Sequence, residues 1–126
     1  MKISILFFLG FYINQLLASL PTTVIKSCYD GDTCTTIDGE IIRLACIDSP
    51  ELKGKNSDLI PAREAKDFLI NLVANKKVSI RRITKDRYNR TVAELFKEEV
   101  NIQKLIVDQG YGKIYKKYAF QCDWSK

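Results

Sequence analysis

Thr22-Thr23-Val24-Ile25-Lys26-Ser27-Cys28-Tyr29, Thr33-Cys34-Thr35-Thr36-Ile37 and Glu40-Ile41-Ile42-Arg43-Leu44-Ala45-Cys46-Ile47 decide the fold. The first stretch is rich in β-branched and aromatic residues, which fit a pleated, half-buried surface. Asp30-Gly31-Asp32 breaks it, and the second stretch resumes extended. Asp38-Gly39 is a strong hairpin signal leading into the third. Together they predict a three-stranded meander. Ser49-Pro50 ends its last strand, because a residue before proline stays extended and proline cannot donate to a ladder.

Beyond the meander, Glu51 to Ile60 is polar and reads as a loop. Pro61 opens a helix running to Val73, with Ala65, Phe68, Leu69 and Leu72 on one apolar face. Lys77–Ile83 and Arg90–Phe96 alternate as strands around the polar Thr84–Asn89 turn. Asn101 can cap a second helix, Ile102–Gln109, stopped by Gly110, and Lys113-Ile114-Tyr115 is a last short extended piece. The class is α+β, mainly β. Five short strands with a helix between the third and fourth suit a closed barrel better than a sandwich. The five-stranded oligonucleotide-binding (OB-fold) Greek-key barrel has that order of elements and places ligands on one face.

A chain of 126 residues, 46% of them apolar, allows one packed core. A net charge of +5 fits a polyanionic partner without identifying one. At the N-terminus, Lys2 precedes an apolar run from Ile3 to Tyr12, and Leu16-Leu17-Ala18-Ser19 ends in small residues. That pattern is a signal peptide over residues 1–19, sending domain 20–126 to the periplasm or outside the cell. Asn14 and Gln15 interrupt the apolar run, so a retained membrane anchor is the weaker reading. Export makes the four cysteines candidates for disulfides, and zinc lacks support without a histidine or a C-x-x-C pair. Three pairings are possible. Cys28 and Cys34 flank the Asp30–Thr33 turn and can face each other across a hairpin, which leaves Cys46 with Cys122. Four buried thiols in a reducing compartment are the alternative.

Three blocks carry chemistry: Asp30-Gly31-Asp32-Thr33, Arg43-Leu44-Ala45-Cys46-Ile47-Asp48-Ser49-Pro50-Glu51 and Asp86-Arg87-Tyr88-Asn89-Arg90. They supply three acids, Asp32, Asp48 and Glu51, and two arginines, Arg43 and Arg90. Acids without histidine favour a hard cation such as Ca²⁺ or Mg²⁺. Planar guanidinium forks suit the oxygens of a five-coordinate phosphorane. Glu51, three residues past Asp48 and beyond a proline, reads as general base for an attacking water. Each has a plainer reading: Asp32 and Asp48 as turn residues, Glu51 as a solvated loop acid, Arg43 in a structural salt bridge, Arg90 as a strand-end charge. Trp124 is so near the chain end that it receives no role.

In this order the blocks resemble the staphylococcal-nuclease-like (thermonuclease) family, from about Val24 to Tyr118. The resemblance implies the five-stranded barrel with helices. It also implies Ca²⁺ held by the carboxylates of Asp32 and Asp48 and the backbone carbonyl of Ser49, where members usually carry threonine. Arg43, Glu51 and Arg90 would be catalytic, and Arg87, Tyr88 and Tyr118 would contact substrate. The implied activity is calcium-dependent endonucleolytic hydrolysis of DNA and RNA, with little sequence specificity and 3′-phosphate products. A non-catalytic OB-fold nucleic-acid-binding module is the alternative, and a structural domain using Ca²⁺ only for stability is a third. No stable protein partner is implied, and a monomer is expected. One departure stands out: the family's usual third, C-terminal helix has no counterpart before Lys126.

Overall fold

The computed structural model describes residues 19–54 and 58–126. The leader expected over residues 1–19 lies, but for Ser19, outside the described residues. Among the described residues no helix is long and apolar enough to cross a membrane.

Strand β1 (Thr22–Asp30) pairs antiparallel with β2 (Thr33–Thr36), and β2 with β3 (Ile41–Leu44). After β4 (Ile47–Asp48) and helix α1 (Leu59–Val73), β5 (Lys77–Lys85) and β6 (Thr91–Lys97) form a long antiparallel hairpin. β5 returns to β1, and β6 runs parallel to β3 through Ile42↔Thr91, Arg43↔Val92 and Leu44↔Ala93. These two joins close the five strands β1, β2, β3, β6 and β5 into a barrel, the predicted architecture, with the parallel β3–β6 pairing as its seam. β7 (Val100–Asn101), α2 (Ile102–Asp108) and β8 (Lys113–Ile114) follow, and β8 pairs with β4 in a small second sheet.

Alternation along the strands sends Ile25, Ile42, Leu44, Val78, Ile80 and Leu95 into the barrel. Ala62, Ala65, Leu69 and Val73 form the buried stripe of α1, and Leu69 and Val73 join the same core. Ile102 and Ile106 of α2 add to the same core. Phe68 and Leu72 are only partly buried at its margin, where Phe68 stacks on Tyr111 at 4.3 Å between ring centroids. α1 begins two residues before Pro61, whose missing N–H falls among the first-turn donors that no helix satisfies. α2 is capped as expected: the Asn101 side chain accepts from the Lys104 amide at 3.1 Å, and Gly110 leaves the helix at φ +82°.

The predicted third strand, Glu40–Ile47, is not continuous. It stops at Leu44 because Cys46 adopts φ +68°, a left-handed conformation that cannot continue a ladder. Cys46 is bonded to Cys122, and its carbonyl accepts from the Tyr115 amide. The chain therefore kinks between β3 and β4 and turns Asp48 toward the β1–β2 turn. The second disulfide joins Cys28 to Cys34, which are directly paired across β1 and β2.

After β8 the chain runs as two 3₁₀ turns, Lys116–Gln121 and Asp123–Ser125, rather than an α-helix. Trp124 packs against the core from this segment and donates its Nε1–H to Glu94 at 2.8 Å. Glu94 is 4% exposed, a burial costly for an unpaired charge. It is satisfied by Arg81, Asn101 and Trp124 together.

Candidate functional site

The β1–β2 turn positions the first acid. Asp30 Oδ1 accepts from the Asp32 amide, a local side-chain turn that aspartate favours. Asp32 is thereby aimed inward, with only 5% of its surface exposed. Its Oδ2 accepts from the Ser49 amide at 2.9 Å, its Oδ1 from the Thr33 hydroxyl at 3.2 Å, and its carbonyl from the Leu44 amide at 2.8 Å. One aspartate thus fastens the turn both to β3 and to the end of β4.

Arg43, from β3, reaches the same place. Its Nη2 lies 3.3 Å from Asp32 Oδ2 and 3.7 Å from Asp48 Oδ1, while Nη1 donates to the Leu44 carbonyl at 2.7 Å. The expected salt-bridge reading and the expected catalytic reading therefore meet in one residue. Asp48 keeps more than a third of its side chain exposed and faces solvent beside the buried Asp32. Crowded acid has an electrostatic signature: burial, then the neighbouring Asp32 charge, push the Asp30 carboxyl up to about 6.

Two glycines hold the Asp48–Ser49 segment from opposite sides. A Cβ on Gly31 would lie 2.7 Å from Ala65 Cβ and 2.8 Å from Ser49 Cβ. A Cβ on Gly112, in the α2–β8 connection, would lie 3.0 Å from Ile106 Cγ2 and 3.2 Å from the Asp48 carbonyl oxygen. The buried Ser49 hydroxyl is left without a hydrogen-bond partner, so serine is held here by its backbone and its small size.

Arg43 also lines a groove of about 470 Å³ between the β5–β6 turn and the chain end. Lys85, Arg87, Arg90 and Lys117 line it too, against Asp86 as the one carboxylate among the lining residues. Tyr88, Tyr115 and Tyr118 supply aromatic faces. Asp86 organises the turn: Oδ1 accepts from the amides of Tyr88 and Arg90, and Oδ2 pairs with Arg90 Nε at 2.7 Å. Burial opposes the Asp86 carboxylate, but the backbone and side-chain bonds from Arg90 outweigh it and hold its pKa below the ordinary value. Asn89 takes the left-handed position at φ +65°. Arg87 and Arg90 flank the Tyr88 ring at 4.9 and 5.3 Å from its centroid, and Arg87 donates to the Tyr88 hydroxyl. Tyr118 is half exposed on the far wall, 5.1 Å from Tyr115.

Of the residues expected from sequence, Arg43, Asp32 and Asp48 converge, and Arg43, Arg87, Tyr88, Arg90 and Tyr118 share one groove. Glu51 stands apart from the arginines, exposed in a second hollow with Asp48, Ser49, Pro50, Tyr111, Gly112 and Lys113. Asp48 is the link, since it touches Arg43 and lines that second hollow. Lys85, Lys117, Tyr115 and Gly112 escape sequence reasoning. Lys85 adjoins Asp86 and was open to inference; the others owe their place to the chain end and to α2 packing back on the barrel.

Among the described residues no cluster of three acidic, cysteine or histidine side chains could hold a metal ion. The donor set that remains is Asp32, Asp48 and a backbone carbonyl, all oxygen, which suits a hard cation that keeps several waters. It does not suit zinc, since all four cysteines are in disulfides and the chain has no histidine.

Residues 41–124 match the family model described as staphylococcal nuclease homologue. A Haemophilus influenzae protein named "Uncharacterized endonuclease" is 39% identical over 94 residues, 71% of this chain and 50% of that protein. An Escherichia coli O157:H7 protein of the same name is 32% identical over 93 residues, 71% of this chain and 58% of that protein. A Phaeosphaeria nodorum protein named "Probable endonuclease LCL3" is 37% identical over 82 residues, 60% of this chain and 27% of that protein. The chain spans between about a quarter and somewhat over half the length of these relatives.

Proposed function

The chain belongs to the staphylococcal nuclease homologue family, and from that premise we propose that it is an exported, calcium-dependent endonuclease. It hydrolyses phosphodiester bonds of DNA and RNA with little sequence specificity and leaves 3′-phosphates. The observation that carries this reading is the meeting of Asp32 and Asp48 on one nitrogen of Arg43, at the edge of a groove lined by five cations and three tyrosines.

Asp32, Asp48 and the Ser49 carbonyl are the residues that would hold Ca²⁺. When bound, the ion would neutralise phosphate charge and polarise water. The remaining work belongs to the chain. Arg87, Lys85 and Lys117 draw in the phosphate backbone, and tyrosine faces accept bases of any identity. Arg43 and Arg90 are placed to donate to phosphoryl oxygens as charge builds on them, an effect worth about 3–4 kcal/mol per preorganised donor. Each is held by a carboxylate, Arg43 by Asp32 and Arg90 by Asp86, so neither guanidinium has to find its orientation during the reaction. Glu51, across Asp48 from the arginines, takes the proton from the attacking water, which then approaches opposite the leaving 5′-oxygen. Readout through backbone charge and stacking carries little sequence information.

Digestion of single-stranded DNA and of RNA, with Ca²⁺ and with excess chelator, tests the reading. Cutting that depends on Ca²⁺ supports it. Retardation of DNA without cutting in either condition replaces it with a binding module.

A further inference from the structure

The wall of the groove formed by the chain end has little apolar hold of its own. None of the six residues in the 3₁₀ turn Lys116–Gln121 is buried, yet Lys117, Tyr118 and Gln121 line the groove opposite Arg87 and Tyr88. A short 3₁₀ helix is weakly bonded. What fastens it are β8 on its N-terminal side, the Arg81 bond to the Gln121 carbonyl, the Trp124–Glu94 bond and the Cys46–Cys122 disulfide. Only the last is covalent. It reaches back to the left-handed kink that separates β3, with Arg43, from β4, with Asp48.

We propose that the Cys46–Cys122 disulfide positions this wall, so that the grip on a polynucleotide strand is sensitive to thiols while the Asp32–Asp48–Arg43 cluster is not. The identity of the ligand rests on the nuclease reading; the tethering does not. The Asp32–Ser49 bond, the Arg43 contacts and the β4–β8 pairing use no atom of the bridge, so they persist without it. Cys46 borders the groove and forms with Cys122 a small buried cluster of its own, 3% and 0% exposed, whereas Cys28 and Cys34 lie in the main core, 5% and 0% exposed. A small dithiol opens the bridge by exchange. One of its thiolates attacks a protein sulfur to form a mixed disulfide, and its second thiol displaces that bond. The products are the thiols of Cys46 and Cys122 and the oxidised, cyclic dithiol.

The test is a titration of the full chain with dithiothreitol under native conditions, with alkylation and mass spectrometry identifying the opened bridge. Trp124, the chain's one tryptophan, lies on the tethered segment and reports its release. Once Cys46–Cys122 alone is open, Trp124 emission shifts to the red while far-UV circular dichroism of the barrel holds. KM for long single-stranded DNA rises about tenfold or more, the size of one lost stacking contact, and kcat stays within about twofold. Reoxidation restores both. A Cys46→Ser, Cys122→Ser double variant shows the same behaviour without reductant; should it not fold, the reversible reduction of the natural chain decides. Unmoved Trp124 emission, or unchanged KM with that bridge open and Cys28–Cys34 intact, overturns the proposal. If the oxidised chain neither binds nor cuts DNA, the nuclease reading falls, and the tether then stands or falls on Trp124 alone.

Discussion

Asp32 is fixed by hydrogen bonds to four other residues, and Gly31 beside it is fixed by want of room. A Gly31 Cβ would strike the Ser49 Oγ and two Cβ atoms, and the latter cannot swing aside as a side-chain tip can. Gly31→Ala should therefore destabilise the fold by about 1–3 kcal/mol, the cost of overpacking a filled site. It should also push Ser49 outward and weaken Ca²⁺ binding. Urea unfolding and calcium calorimetry check the two effects. Gly39→Ala makes a useful contrast, since a Cβ there meets nothing and only its φ of +87° resists, at about 1 kcal/mol. Glu51 carries a second prediction. Glu51→Gln removes a base without touching the Asp32–Asp48–Arg43 cluster, so cutting should fall about 10²-fold or more while Ca²⁺ affinity holds. Cleavage at the natural rate would remove Glu51 from the mechanism. At this scale the sequence was readable where a residue's neighbours are its own block: Asp32 in its turn, Asp48 before Ser49-Pro50. It could not say that Arg43 bridges both aspartates, or that Glu51 lies in a separate hollow, because those relations are made by the kink at Cys46.

The Asp86–Arg90 turn is an element built around one carboxylate. Its spacing is legible, because an aspartate two and four residues before the amides it accepts from leaves a recognisable polar block. Asp86→Ala should free Arg90 and loosen Tyr88 together. We expect kcat/KM to drop about 10–100-fold, with a stability loss of only about 1 kcal/mol for the exposed turn. Asp86→Asn keeps acceptors but no charge and should fall between. Steady-state kinetics with parallel urea unfolding separates a loss of arrangement from a loss of fold. The chain end was less legible. Tyr118 was expected at the substrate, but Trp124, given no role, proves to be a ligand of buried Glu94. Its partner is thirty residues away, on a strand whose buried acid looks like surface in an alternating pattern.

At the scale of the whole molecule, alternation and turn signals were enough to order the elements, but the seam that closes the barrel was not written in them. A parallel β3–β6 pairing joins strands with a helix and two other strands between, and no local pattern marks it. Glu40 stands beside that seam, joining the β2–β3 turn to β5 through Arg82 Nε and Nη2 and to β6 through the Thr91 hydroxyl. These bonds, led by the Arg82 fork, outweigh the burial that opposes them and lower the Glu40 carboxyl from 4.5 to about 2. A folded value below the unfolded one means the contribution is present in full above about pH 4.5 and is lost as pH falls toward 2. Arg82 is nearly half exposed, so screening limits the effect to about 1–2 kcal/mol rather than the full shift. Glu40→Gln should lose that amount at pH 7 and only a small part of it at pH 2.5, so the two stability curves converge in acid. Urea midpoints across pH 2.5–7 measure it; curves that stay parallel would mean the carboxylate contributes nothing to holding the barrel shut.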